Sequence, residues 1–182
     1  MDDLLNLFAR LEQSPRPLIL ATLLKVDGAG PVRAGARRIL AAAGGAPVTA
    51  LDEALQGVAV TGRTRMLAGV SGPELDPWRG GVLLERMVPG KLPPWMHFCA
   101  QVLRRGGACV MATVGALEGD VPYALGDRFV YDERNHGLLP MDGRFSLDLQ
   151  RGCEKVREAG QPAWKRFDLT GGSLGICLEP LP

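Results

Sequence analysis

Leu4, Leu7, Phe8 and Leu11 recur at the spacing of one helical face, which predicts an amphipathic helix over about 2–13. The pattern then changes. Residues 17–25, PLILATLLK, are almost continuously apolar and read as a buried strand, followed by a glycine-rich turn and a second strand near 36–42. A short helix over about 50–57 and strands near 62–68 and 82–88 follow. The same order then returns. A helix over about 93–105 starts at Pro93-Pro94, since proline suits the first turn. Strands near 108–117 and 127–132 precede a longer helix, 145–159, and strands near 163–169 and 174–179 close the chain. The long helix carries Phe145, Leu149, Cys153 and Val156 on one face and Asp148, Arg151, Lys155 and Glu158 on the other.

The recurrence extends to individual residues. At an offset of 91, Ala21, Thr22, Gly28, Pro31, Gly35 and Arg37 fall on Ala112, Thr113, Gly119, Pro122, Gly126 and Arg128. The identities concentrate on glycine and proline, which fix backbone shape. The same offset carries the first helix's apolar face onto Trp95, Phe98, Cys99 and Val102, and Gly80-Gly81 onto Gly171-Gly172. The two closing strands align after a small shift. The chain therefore reads as a tandem duplication, with a first repeat over 1–91 and a second over 92–182. The expected fold is α+β: two similar helix-strand-strand-helix-strand-strand units packed as one pseudo-twofold body with mixed or antiparallel sheets.

Composition narrows the functional classes. Of 182 residues, 46% are hydrophobic and 23% charged, enough to bury a core. The net charge is +1 and aromatics are only 5%, so nothing points to nucleic acid or an anionic membrane as a partner. No apolar run is long enough to span a bilayer. The acidic, alternating N-terminus does not look like a secretory leader, and the expected location is cytoplasmic. The four cysteines, Cys99, Cys109, Cys153 and Cys177, form no CxxC pair and read as reduced, mostly buried thiols.

Candidate chemistry is sparse. The first-copy turn, with Arg33 and Arg37 near several backbone N–H groups, could hold an oxyanion. It lacks the lysine and the following helix of a P-loop, and a plain hairpin with a glycine-rich connection is the alternative. The second copy has Ala124 in place of Arg33 and has gained Asp120, so a site would belong to the first copy. Cys177 reads either as a reactive thiolate or as a small buried residue. Cys99 and Cys153 fall on apolar helix faces, and Cys109 lies in a strand. His97 and Cys99, two apart on a helix, make a poor metal pair, and His136 sits in a turn. Trp78, in the long loop of the first repeat, is the tryptophan that could serve as a stacking platform. No nucleophile–base pair or acid/base pair is visible, so an accessory protein is expected rather than an enzyme.

Two segments carry a resemblance. PLILATLLKVDGAGPVRAGARRIL, with the helix before it, resembles the N-terminal domain of the XdhC/CoxI family, the maturation factors of xanthine and carbon monoxide dehydrogenases. CEKVREAGQPAWKRFDLTGGSLGICLEPL resembles the end of that domain in the second repeat. The resemblance implies a factor that binds the molybdenum cofactor, molybdopterin, and hands it to the apo-subunit of a molybdenum hydroxylase, often as a homodimer. The residues it would use here are Gly28, Gly30, Arg33, Gly35 and Arg37 of the first turn, with Cys177. The departures are specific. The family's glycine-cysteine segment after the second strand has no cysteine in either repeat, over 44–55 or 136–147, and the later one is reduced to Cys177 alone. They imply a divergent relative whose cofactor chemistry is changed or gone, leaving an assembly or protein-interaction module as the alternative. Many family members also add a nucleotide-binding-like C-terminal domain.

Overall fold

The computed structural model describes residues 2–27, 32–41, 49–69, 75, 78–134, 137–140 and 143–181. The elements run α1 (Asp2–Gln13), β1 (Leu18–Val26), β2 (Arg37–Leu40), α2 (Ala50–Thr61), β3 (Arg65–Leu67), β4 (Gly80–Met87), α3 (Pro94–Arg104), β5 (Cys109–Gly119), β6 (Arg128–Tyr131), α4 (Gly143–Ala159), β7 (Ala163–Leu169) and β8 (Gly172–Leu181). They form two four-stranded sheets with the orders β2-β1-β4-β3 and β6-β5-β8-β7. Every pairing is antiparallel. The architecture is the expected α+β repeat, with "mixed or antiparallel" resolved to antiparallel throughout.

The chain divides into two compact units, Ala9–Leu92, and Pro93 onward joined by α1 as far as Phe8. In the first, α2 lies on β1 and β4. It starts at a capping box, in which Thr49 Oγ1 accepts from the Asp52 N–H and Asp52 Oδ2 from the Thr49 N–H. Its Leu51, Ala54, Leu55 and Val58 meet Ile19, Ala21, Leu23, Val82 and Leu84 in an aliphatic core that includes Leu75 and Trp78.

In the second unit, α4 covers β5, β7 and β8, and its Phe145, Leu149, Cys153 and Val156 join Val110, Ala112, Val114 and Ile176. This core is aromatic at one end. Phe145 meets Tyr123, Phe129 and Phe167 edge to face, at centroid separations of 5.3, 5.8 and 5.7 Å. On the other face of the sheet, α3 lies against β5 and β6, with the Arg128 guanidinium 4.3 Å from the Trp95 ring centroid. Phe8 meets the same Trp95 edge-on at 5.7 Å.

The duplication is visible in the pairing register, and it corrects one sequence alignment. β1 and β4 slip register between Leu23 and Lys25, and β5 and β8 between Val114 and Ala116, so both copies carry the same bulge. Lys25 faces Gly81, whereas its counterpart Ala116 faces Gly175. Gly81 therefore corresponds to Gly175, not to Gly172. The reason lies on the neighbouring strand. A Cβ on Gly81 would come within 2.5 Å of Met66 Cε, and one on Gly175 within 2.5 Å of Trp164 Cζ2. In each copy the glycine makes room for a large side chain on the edge strand. The helices before these strands end alike at Gly62 and Gly160, whose N–H groups bond back to Val58 and Val156. That fixes a second, longer offset between α2 and α4.

Candidate functional site

The strand-turn-strand element builds the candidate site of the first copy. Gly35, at φ 91°, donates its N–H to Leu23 O at 2.7 Å, and Leu23 returns its N–H to Ala36 O at 2.9 Å. A side chain is disfavoured at that φ. Arg37 reaches back and donates from Nη1 to Gly35 O at 2.8 Å. The second copy repeats all three features. Gly126 has φ 88°, its N–H bonds Val114 O at 2.8 Å, and Arg128 Nη1 donates to Gly126 O at 3.4 Å. Gly35 and Arg37 therefore hold the shape of the turn, which explains why both repeats carry them.

The turns differ at one donor. In the second copy, the Asp127 carboxylate accepts the N–H of Ala124 at 2.8 Å. In the first copy the residue corresponding to Asp127 is Ala36, and the one corresponding to Ala124 is Arg33. Arg33 is exposed, and neither its N–H nor its guanidinium has a partner among the described residues. An N–H that binds a carboxylate oxygen in one copy stands beside a cationic side chain in the other. That combination suits an oxyanion.

The other expected site residues are placed as follows. Gly28 and Gly30 lie outside the described residues. Cys177 belongs to the second unit, 2% exposed on β8, between Thr113 of β5 and Trp164 of β7. The set thus does not come together within either unit. Cys99, Cys109 and Cys153 are also buried, and burial pushes the Cys153 thiol up to about 12. Trp78 is 3% exposed in the core, with the Arg38 guanidinium over its ring, so neither face is open as a platform. Among the described residues, no group of three or more histidines, cysteines and acids could hold a metal. No helix among them is long and apolar enough to cross a membrane.

Sequence reasoning missed a pair of clefts at equivalent places in the two copies. In the second unit a cleft of about 730 Å³ opens beyond the end of α3, walled by Gly106 and Gly107, the turn after β6 and the last turn of α4. In the first, a cleft of about 270 Å³ is lined by Leu18, Ile19, Leu40 and Ala59 together with Arg16 and Arg86. The larger one gathers Arg105, Arg134 and Arg157 with Asp132 and Glu133. The signal was present in the sequence. Asp132-Glu133-Arg134 follows β6 where Ala41-Ala42-Ala43 follows β2.

No family model matches the chain, and no curated protein does. Among solved structures, the chain is similar to a xanthine dehydrogenase from Bacillus halodurans, with a TM-score of 0.51 and 21% sequence identity. The likeness covers 75% of this chain and 41% of that one, so the match spans less than half of that protein's length. At this identity the likeness shows a shared fold.

Proposed function

We propose that the chain is an accessory factor for a molybdenum hydroxylase of the xanthine or carbon monoxide dehydrogenase type, not itself an enzyme, and that its first-copy turn holds the phosphate of a molybdopterin-type cofactor. The observation that carries the reading is the donor contrast between the turns, with Asp127 on the Ala124 N–H in one copy and Arg33 exposed in the other. Fold likeness to a protein described as a xanthine dehydrogenase and the sequence resemblance to XdhC/CoxI factors support the choice of system. Arg33 and its N–H would hold the phosphate, while Gly35 and Arg37 keep the turn in shape. Such a cofactor, when bound, would supply the molybdenum and the pterin dithiolene. Cys177, closed off in the sheet, offers no open thiolate, and the reading assigns it no role in holding the metal.

The test is co-expression with molybdopterin synthesis, followed by molybdenum analysis and pterin fluorescence of the purified protein. Pterin should co-purify with the natural chain and fall at least about tenfold in Arg33→Ala, a loss expected when a charge-assisted contact is removed. Pterin absent from both, or equal in both, rejects the reading. The absence of both glycine-cysteine segments favours a second reading, an assembly module that binds only a dehydrogenase subunit. Capture of that subunit by a cofactor-free protein, undiminished in Arg33→Ala, would select it. A homodimer belongs to either reading and would show as doubled mass by light scattering.

A further inference from the structure

The cleft of about 730 Å³ in the second unit shares no lining residue with the turn of the first copy, and its chemistry stands on its own. Three arginines reach it from three different elements. Arg105 caps the C-terminus of α3, Arg134 lies in the turn after β6, and Arg157 lies in the last turn of α4. Arg157 is held by an ion pair with Glu133. Asp132 is buried, and its Oδ1 accepts the backbone N–H of Arg134 at 3.2 Å, which fixes the turn. The side chains of Arg105 and Arg134 are exposed and have no partner among the described residues. Three cations against two acids leave the cleft positive, with two guanidinium groups uncommitted. Phe98 lines an apolar side of it.

The duplication separates what the frame needs from what this cleft adds. The residues corresponding to Arg105, Arg134 and Arg157 in the first copy are Ser14, Ala43 and Ala59. The first copy builds the same strands, bulge and helix end without any of the three cations. The arginines are therefore not required to form the fold, and bringing like charges together has a cost that a ligand would offset. A cleft of this volume is of small-molecule size. Several guanidinium groups lining one cleft with an aromatic side chain suit an anion with several oxygens on a compact group.

We infer that this cleft binds a small ligand bearing a phosphate or diphosphate group, held by Arg105 and Arg134 and flanked by the Glu133-anchored Arg157. The inference does not depend on the role proposed for the turn. The experiment is calorimetric titration of the full chain with inorganic pyrophosphate and with ADP at low salt. The natural chain should bind both, more weakly as salt is raised. Arg105→Gln with Arg134→Gln should weaken binding about tenfold or more with an unchanged melting temperature, since both side chains are exposed. Failure to bind either probe, or equal binding by the double variant, would each overturn the assignment.

Discussion

At the turn of the first copy, a backbone N–H and an exposed Arg33 stand together. At the same turn of the second, Asp127 takes the N–H and Ala124 replaces the arginine. At the far end of each sheet the copies differ again. The first has a small cleft with Arg16 and Arg86 among aliphatic residues, and the second a large one with three arginines, Asp132 and Glu133. The copies thus place different charged residues at both ends of one frame. What both copies keep (the bulge, the Gly35 and Gly126 turns, the arginine that bonds the turn carbonyl) is what the strand-turn-strand requires. What only one copy keeps is free of that requirement, and is where binding chemistry is to be sought.

The largest test of this comparison is core truncation. Leu51 and Leu149 occupy corresponding places on α2 and α4 and are both buried. Leu51→Ala and Leu149→Ala should each lower stability by about 2–5 kcal/mol in urea unfolding. A cost confined to one of them would break the claim of a common frame.

Gly81→Ala and Gly175→Ala should separate the copies. The new Cβ at 81 meets the mobile end of Met66, whereas at 175 it meets the rigid Trp164 ring and, at 2.9 Å, Ala116 Cβ. Gly175→Ala should cost about 1–3 kcal/mol and Gly81→Ala well under half as much. Equal midpoints for the two variants would show that Trp164, partly exposed on its edge strand, swings aside as freely as Met66.

A pH test also separates them, because Cys153 corresponds to Leu55. The folded protein holds the Cys153 proton up to about 12, while an unfolded thiol releases it near ~8.5. Its contribution is therefore complete below about pH 8.5 and is lost as pH rises toward 12. Between pH 8 and 10 the natural chain should lose about 1–2 kcal/mol more stability than Cys153→Ala. Parallel losses in the two proteins would remove Cys153 from the account. The smallest effect is expected at Arg33, where replacement by Ala should leave stability within about 0.5 kcal/mol because the side chain is exposed and unpaired among the described residues. A larger loss in thermal unfolding would assign Arg33 to the frame.

Apolar periodicity determined the helices and most strands, because a helix or a buried strand must present one face to a core and that face is written locally. Residue identity at glycine, proline and arginine determined the duplication and the turns, since these residues fix backbone shape within a few positions. Three things were decided only by tertiary structure. The equivalence of Gly81 with Gly175 depends on which residue of β1 or β5 each one faces, and that register is set across strands far apart in sequence. The division of labour within the turn depended on where side chains reach. Arg37 turns inward to a carbonyl and Arg33 is exposed to solvent, though the two arginines stand only four positions apart. The cationic cleft draws on Arg105, Arg134 and Arg157, each unremarkable where it stands in the chain. Folding brings together a helix end, a turn and another helix's last turn, and charges that are isolated along the sequence become neighbours only in that arrangement.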